Sequence, residues 1–280
     1  MPDQESTGFS DEPLAVGQRI ALRIEYDGSR FAGWQAQPQL PAVDTVQETL
    51  EHGLSRVAAR PVRVHCAGRT DTGVHASAQW VHFDAPVSRG LKAWVVGVNA
   101  QLDPDLRVAD ACLVKEHFHA RHSASGRRYD YLIANTAVAP ALLARRVLWV
   151  RDALNAERMH RSLSPLLGEN DFSAFRAAAC QSKTPMRYLS AASVTRRDSF
   201  LRVRLEANAF LHHMVRNIVG SLIEVGAGRR DENWLGQLLA GRDRRVAAAT
   251  AAPWGLYLTG VSYPEEFGLP EVPTPAFFPA

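Results

Sequence analysis

The sequence predicts an α/β protein built as two related halves, and three observations carry that prediction. Its 280 residues are too many for one small domain and fit two of ordinary size. Hydrophobic residues make up 46% and charged residues 22%, a balance that can bury a real core. Strand-like alternation and helix-like spacing follow one another in the first half of the chain and again in the second.

Taken in order, residues 1–18 are polar, contain Pro2 and Pro13, and read as a disordered lead-in. Ile20–Tyr26 alternates as a strand, and Asp27-Gly28 is a turn signal after it. A helix is expected from Asp44: Asp44 and Gln47 have capping-box spacing, and Val46, Leu50, Leu54 and Val57 line one face. Pro61–Cys66 and Gln79–Asp84 read as strands flanking a tight polar loop. In the second of them Val81 and Phe83 face one side, Trp80 and His82 the other. A helix near Leu91–Val98 and a strand near Leu106–Val114 complete this half, an N-terminal domain of residues 19–117. The C-terminal domain, 118–266, restarts with a strand at Arg127–Ile133, where Tyr129 and Tyr131 share a face. Helical and loop material runs to about Met186. Strands follow at Leu189–Thr195 and Phe200–Glu206, then a long helix at Leu211–Val225 and a last strand at Leu256–Tyr263. Residues 267–280 are proline-rich and read as an extended tail.

Several function classes are disfavoured. No apolar run reaches the roughly 18 residues of a membrane helix, and the polar, acidic start lacks the apolar segment of a signal peptide. Cys66, Cys112 and Cys180 are odd in number and lack close ligand spacing, which argues against a disulfide scaffold or a zinc site. His212-His213 lacks the i, i+4 spacing and the glutamate of a zinc helix. The expectation is a cytoplasmic protein. A net charge of +3, carried mostly by arginine, suits phosphate contacts without proving them.

The densest chemistry lies in Cys66–Ala76, CAGRTDTGVHA, which packs an arginine, a carboxylate, a histidine and two glycines between apolar strands. Arg69 and Asp71 are two apart, so on extended backbone their side chains leave the same side. On its own this is also what a surface turn with a weak Arg–Asp ion pair looks like. The chain's basic clusters and sheet aromatics would also serve a non-catalytic RNA-binding protein, and its Asp and His groups a metal-dependent RNA hydrolase, although carboxylates for two metals are not clustered.

From about residue 19 to 270 the chain resembles the bacterial tRNA pseudouridine synthase A family. The resemblance rests on YDGSRFAGWQ (26–35), AGRTDTGVHA (67–76), FHAR (118–121) with GRRYDYLI (126–133), GENDFSAF (168–175) and NAFLHHMVRNIVGSLIEVG (208–226). Thr72 stands where many relatives have alanine, and Lys183 where some have arginine. The resemblance implies an α+β fold, two ferredoxin-like α/β domains sharing a continuous antiparallel sheet, acting as a homodimer. It implies isomerisation of uridine to pseudouridine at positions 38, 39 and 40 of the tRNA anticodon stem-loop, without cofactor or metal. Asp71 falls on the family's nucleophile, Arg216 on its cationic partner and Tyr129 on the pocket tyrosine that stacks on the uracil. Tyr131, by contrast, reads as an ordinary core residue. Arg69 matches the residue that helps take the base out of its stem, a step that costs a few kcal/mol. Arg89, Phe118, His119, Ala120, Arg121 and His122, with Ala179, Cys180, Gln181, Ser182 and Lys183, match positions that contact tRNA. His75 and His82 are expected to hydrogen-bond the 67–76 loop.

Overall fold

The computed structural model describes residues 8–37, 39, 43–270, 272, 273 and 275. They divide into two compact units, residues 1–125 with 261–272 and residues 126–260 with 273–280. The rest of the proline-rich tail and residues 1–7 lie outside the described residues.

The first unit contains β1 (Arg19–Tyr26), α1 (Val46–Ala58), β2 (His65–Cys66), β3 (His75–Asp84), a π-helical turn (Ala93–Gly97) and β4 (Leu106–Leu113). Its strands lie in the order β4-β1-β3, with β2 added on β3, and all pairings are antiparallel. A β-α-β-β-α-β run in that order is the ferredoxin-like arrangement. Ile20, Leu22 and Ile24 of β1 are fully buried. The two-faced reading of β3 holds: Phe83 meets Trp94 edge-on, while Trp80 joins a cluster with Ala21, Ala67, Phe118, Ala120 and Phe267.

Three local expectations shift in this unit. The capping box is one residue later than expected: Thr45 Oγ1 accepts the Glu48 N–H at 3.3 Å, because Asp44 is engaged by Arg30 at 2.9 Å. The strand expected over Pro61–Cys66 shrinks to two residues. The amides of Val62 and Val64 are taken by Ser55 and Glu51 of α1, each at 3.0 Å, and so cannot join a ladder. Part of the stretch read as a disordered lead-in is ordered. Leu14 N–H reaches Arg89 O at 3.1 Å, Lys92 N–H reaches Ser10 O at 3.0 Å, and Lys92 pairs with Asp11 at 2.7 Å.

The second unit contains β5 (Gly126–Ala134), β6 (Leu148–Trp149), α2 (Ala156–Ser162), β7 (Gly168–Asp171), β8 (Met186–Arg197), β9 (Phe200–Ala207), α3 (Met214–Gly226), α4 (Trp234–Gly241) and the larger part of β10 (Leu256–Ser262). Its strands run β10-β5-β9-β8-β7, with β6 parallel to β5. The order β10-β5-β9-β8 repeats that of the first unit. Tyr129, Tyr131 and Ile133 lie opposite Leu205, Val203 and Leu201, so one face of the β5–β9 pair is apolar. On the other face the fully buried Asp130 accepts from Arg204 Nε at 2.9 Å and Thr259 Oγ1 at 2.6 Å. Tyr131 is a core residue, its hydroxyl donating to Ala252 O at 2.6 Å.

The long helix begins at Met214 rather than Leu211, since His213 adopts a left-handed φ of 62°. The side of α3 that carries Asn217 and Gly220 is polar in sequence yet buried. Asn217 Oδ1 accepts from Arg244 at 3.0 Å and from Thr250 at 2.7 Å, and its Nδ2 donates to Phe175 O at 2.8 Å. Every polar atom it buries is thus satisfied within the unit. Among the described residues no helix is long and apolar enough to cross a membrane.

Candidate active site

In the first unit, the 67–76 loop is held from two sides. Gln79, fully buried on β3, uses its side-chain amide on both backbone groups of Gly68, donating to the carbonyl and accepting the N–H at 3.3 Å. The YDGSRFAGW segment supplies the other side. Tyr26 Oη pairs with Thr70 Oγ1 at 2.9 Å, and Trp34 N–H donates to Thr70 O at 3.0 Å. A tight turn returns Val74 N–H to Asp71 O at 3.1 Å. Two glycines permit this proximity. Gly33 has φ of 93° and lies so near the loop that an added Cβ would meet Thr70 O at 3.0 Å. A Cβ on Gly28 would fall 2.1 Å from Val74 O.

Gly28→Ala is therefore expected to push the loop out of place and destabilise the protein by about 1–3 kcal/mol, as overpacking does. Thermal melting and catalytic turnover should both fall; an unchanged melt with full turnover would show that the turn does not buttress the loop.

The outcome of the loop is that Asp71 sits part-exposed at its tip, Thr70 is buried behind it, and Arg69 is exposed beside it. Arg69 and Arg121 converge on Cys66: both charges act on its thiol, which burial pushes up to about 12. Arg121 and His122 are exposed, Phe118 and Ala120 are buried, and His119 is intermediate. Arg89 is exposed on the segment that the Leu14 amide caps.

The two histidines differ from expectation in what they hold. His75 Nδ1 lies 3.0 Å from Gly28 N and 3.2 Å from Asp27 Oδ1, so it fixes the turn that buttresses the loop. The Asp27 carboxyl is held well below the usual range, first by its hydrogen bond with His75. Among the described residues His82 hydrogen-bonds elsewhere than the 67–76 loop: its Nδ1 accepts the Ala120 N–H at 3.1 Å, in the FHARH segment.

His82 is 3% exposed, and burial first, then the charges of His119, Arg19 and His65, bring its pKa down to about 3. A histidine in the unfolded chain takes its proton near about 6.5. Below that pH the unfolded state gains a proton that the folded state excludes. The contribution of His82 to stability is therefore complete above about 6.5 and is lost as pH falls toward 3. Between pH 6.5 and 5 the loss is about 2 kcal/mol. Denaturant titrations at pH 7.5 and 5 should show this drop, and His82→Asn should remove it; an equal drop in the variant would assign it elsewhere.

In the second unit, Tyr129 is 8% exposed and meets Phe210 edge-on with ring centroids 5.1 Å apart. Arg216, in the first turn of α3, donates Nε to Ala251 O at 2.8 Å, while Ala251 N–H donates back to Arg216 O at 3.1 Å. The same guanidinium acts on the Tyr131 hydroxyl, whose pKa burial raises well above its ordinary value. The Ala179–Lys183 loop is drawn onto the start of α3: His212 N–H donates to Cys180 Sγ at 3.4 Å, and Ala177 N–H to His212 O at 3.0 Å. Arg176 donates to Cys180 O at 2.8 Å and Ser182 O at 2.7 Å, and Arg187 to Ser182 Oγ at 2.7 Å. Burial opposes ionisation of the Cys180 thiol, but the N–H groups of Ser182 and His212 and the Arg176 charge outweigh it and lower its pKa. Ala179, Gln181 and Lys183 are exposed. Tyr129, Arg216 and this loop thus share the second unit, and Asp71, Arg69, Arg89 and Phe118–His122 share the first.

Sequence reading passed over Gln79, Phe210, Arg176 and Arg187. Gln79 carried a signal, a polar residue in the middle of an apolar strand; the others become visible only once the chain is folded.

A family profile described as tRNA pseudouridine synthase matches residues 23–123 and 163–264. A tRNA pseudouridine synthase A of Escherichia fergusonii is 51% identical over 270 residues, covering 96% of this chain and 99% of the relative. A tRNA pseudouridine synthase A of Salmonella typhimurium is 53% identical with the same coverage, and one of Citrobacter koseri is 53% identical over 93% of this chain and 95% of its own.

Proposed function

Because this chain belongs to the tRNA pseudouridine synthase family, we propose that it isomerises uridines 38, 39 and 40 of the tRNA anticodon stem-loop with Asp71 as nucleophile. The coarser activity, conversion of uridine to pseudouridine in tRNA, comes with the family. The reaction breaks the N1–C1′ bond, turns the uracil and rejoins it through C5. Nothing is added and no electrons leave, so no redox cofactor or metal is needed for its balance.

The observation that carries the reading is the loop at Asp71. Tyr26, Trp34, Gln79 and two close glycines fix its backbone, which is the preorganisation a covalent nucleophile requires. In this reading Arg216 offsets the cost of desolvating the Asp71 carboxylate. Tyr129 stacks on the extruded base, supported edge-on by Phe210. Arg69 fills the vacated stack and holds phosphate. Arg89, the Phe118–His122 segment and the Ala179–Lys183 loop bind the RNA backbone, which makes affinity fall with salt. An L-shaped tRNA extends well beyond its anticodon stem-loop, so in this reading a second copy of the 30.8 kDa chain holds the body of the tRNA while the first processes the stem-loop, as a homodimer of the cytoplasm.

The test uses tRNA transcripts that each carry a single C5-tritiated uridine at position 38, 39 or 40. Tritium release from all three, with no added cofactor, is expected. Release only from uridines elsewhere in the tRNA would overturn the assignment to the anticodon arm.

A further inference from the structure

The Phe118–His122 segment follows β4 and belongs to no sheet; Phe118 N–H donates to Lys115 O and His119 O accepts the Ser123 N–H, each at 2.9 Å, and its other peptide N–H groups find partners among side chains. Phe118 O accepts from Arg19 Nη1 at 2.9 Å, and Arg19 is itself anchored on Asp84 at 2.7 Å. Ala120 O accepts from the Tyr263 hydroxyl at 2.7 Å. His119 N–H donates to Ser123 Oγ at 2.9 Å. The N–H groups of the last three residues all go to imidazole nitrogens. Ala120 donates to His82 Nδ1 at 3.1 Å, and Arg121 and His122 donate to His119 Nδ1 at 3.1 and 3.3 Å.

An imidazole accepts only through an unprotonated nitrogen. The surroundings of His82 disfavour its protonation. His82 is buried and packs against His65, stacked at 5.1 Å, and against His119 at 4.6 Å; His119 in turn lies 4.3 Å from His122. Burial and the neighbouring charges of His119, Arg19 and His65, opposed by Asp84, favour an uncharged His82. The Ala120 N–H that it accepts is buried, and a buried donor left without a partner costs more than the bond itself contributes.

We propose that His82 is a positioning residue for tRNA binding: its Nδ1 fixes the backbone at Ala120 and so aims Arg121 and His122 at the RNA. This rests on the reading above that the Phe118–His122 segment meets tRNA. His82 lies at the end of β3 opposite the 67–76 loop and acts on the RNA only through that backbone. It belongs to binding rather than to the chemical step.

The experiment compares full-length wild type with His82→Leu, which has no acceptor, and His82→Asn, whose Oδ1 stands near the position of Nδ1. KM for tRNA, kcat and the melting temperature are measured for each. His82→Leu is expected to raise KM about tenfold with kcat within about twofold. His82→Asn is expected to keep the wild-type KM. A folded His82→Asn with KM raised as far as in His82→Leu would overturn the proposal, as would a folded His82→Leu with unchanged KM. If His82→Leu does not fold, the Asn variant alone decides by the same criterion. Arg121→Ala separates the two layers of the argument. If it leaves KM unchanged, the segment does not meet tRNA and the underlying reading fails. If it raises KM while His82→Leu does not, only the role of His82 fails.

Discussion

Asp71→Asn is expected to reduce pseudouridine formation on the order of 10⁴-fold or more, with melting temperature and tRNA affinity held near the wild-type values. Asparagine has nearly the same shape, so the turn from Asp71 O to Val74 N–H survives, as do the Thr70 bonds to Tyr26 and Trp34 behind it. What is lost is the second carboxylate oxygen and the negative charge. An amide is too weak a nucleophile to form the covalent intermediate that divides one hard step into two. The loss should therefore appear in kcat, with KM almost unmoved. Thr72→Ala, a neighbouring change that removes no reacting group, should retain full turnover. Equal losses in both variants would mean that the loop's shape and not its carboxylate sets the rate.

Arg216→Ala carries the second-largest effect, a fall of about 10²–10³-fold in kcat, the scale seen when one preorganised charged donor is removed. Its Nε bond to Ala251 O sets the direction of the guanidinium, and the reciprocal Ala251 N–H bond holds the backbone in place. Arg216→Lys should recover only part of the loss. Lysine keeps the charge but has no Nε to rest on Ala251 while its terminal group reaches out. Steady-state kinetics on one tRNA decides it: a lysine variant at full activity would reduce Arg216 to a diffuse positive charge, and an alanine variant at full activity would remove it from the reaction.

Much of this architecture was legible in the sequence, because alternation and spacing report burial directly. The opposed faces of β3, with Phe83 against Trp94 and Trp80 in the other cluster, were visible as alternation. So was the apolar face shared by Tyr129 and Tyr131. What sequence periodicity does not carry is competition for hydrogen bonds by distant side chains. Ser55 and Glu51 remove Val62 and Val64 from a ladder, and Arg30 takes Asp44 away from the helix cap. The burial of Asn217 on α3 is not readable from its neighbours, because Arg244 and Thr250, which cover it, follow it in the chain by many residues. The motif strings single out Asp71, but not the reason the loop that carries it is held in place. That reason lies in Gln79 and in the closeness of Gly28 and Gly33 to backbone far away in sequence. His82 was assigned to the wrong loop for the same cause: its direction on β3 was readable, and the segment lying over that face was not.

The account turns on whether the carboxylate of Asp71 performs the chemistry, and single-turnover kinetics measures that step alone. With enzyme in excess over a C5-tritiated anticodon stem-loop, and binding saturated, wild type should release its tritium in one exponential phase. Asp71→Asn should hold the same RNA and release none above background; release at a rate near that of wild type would contradict the account.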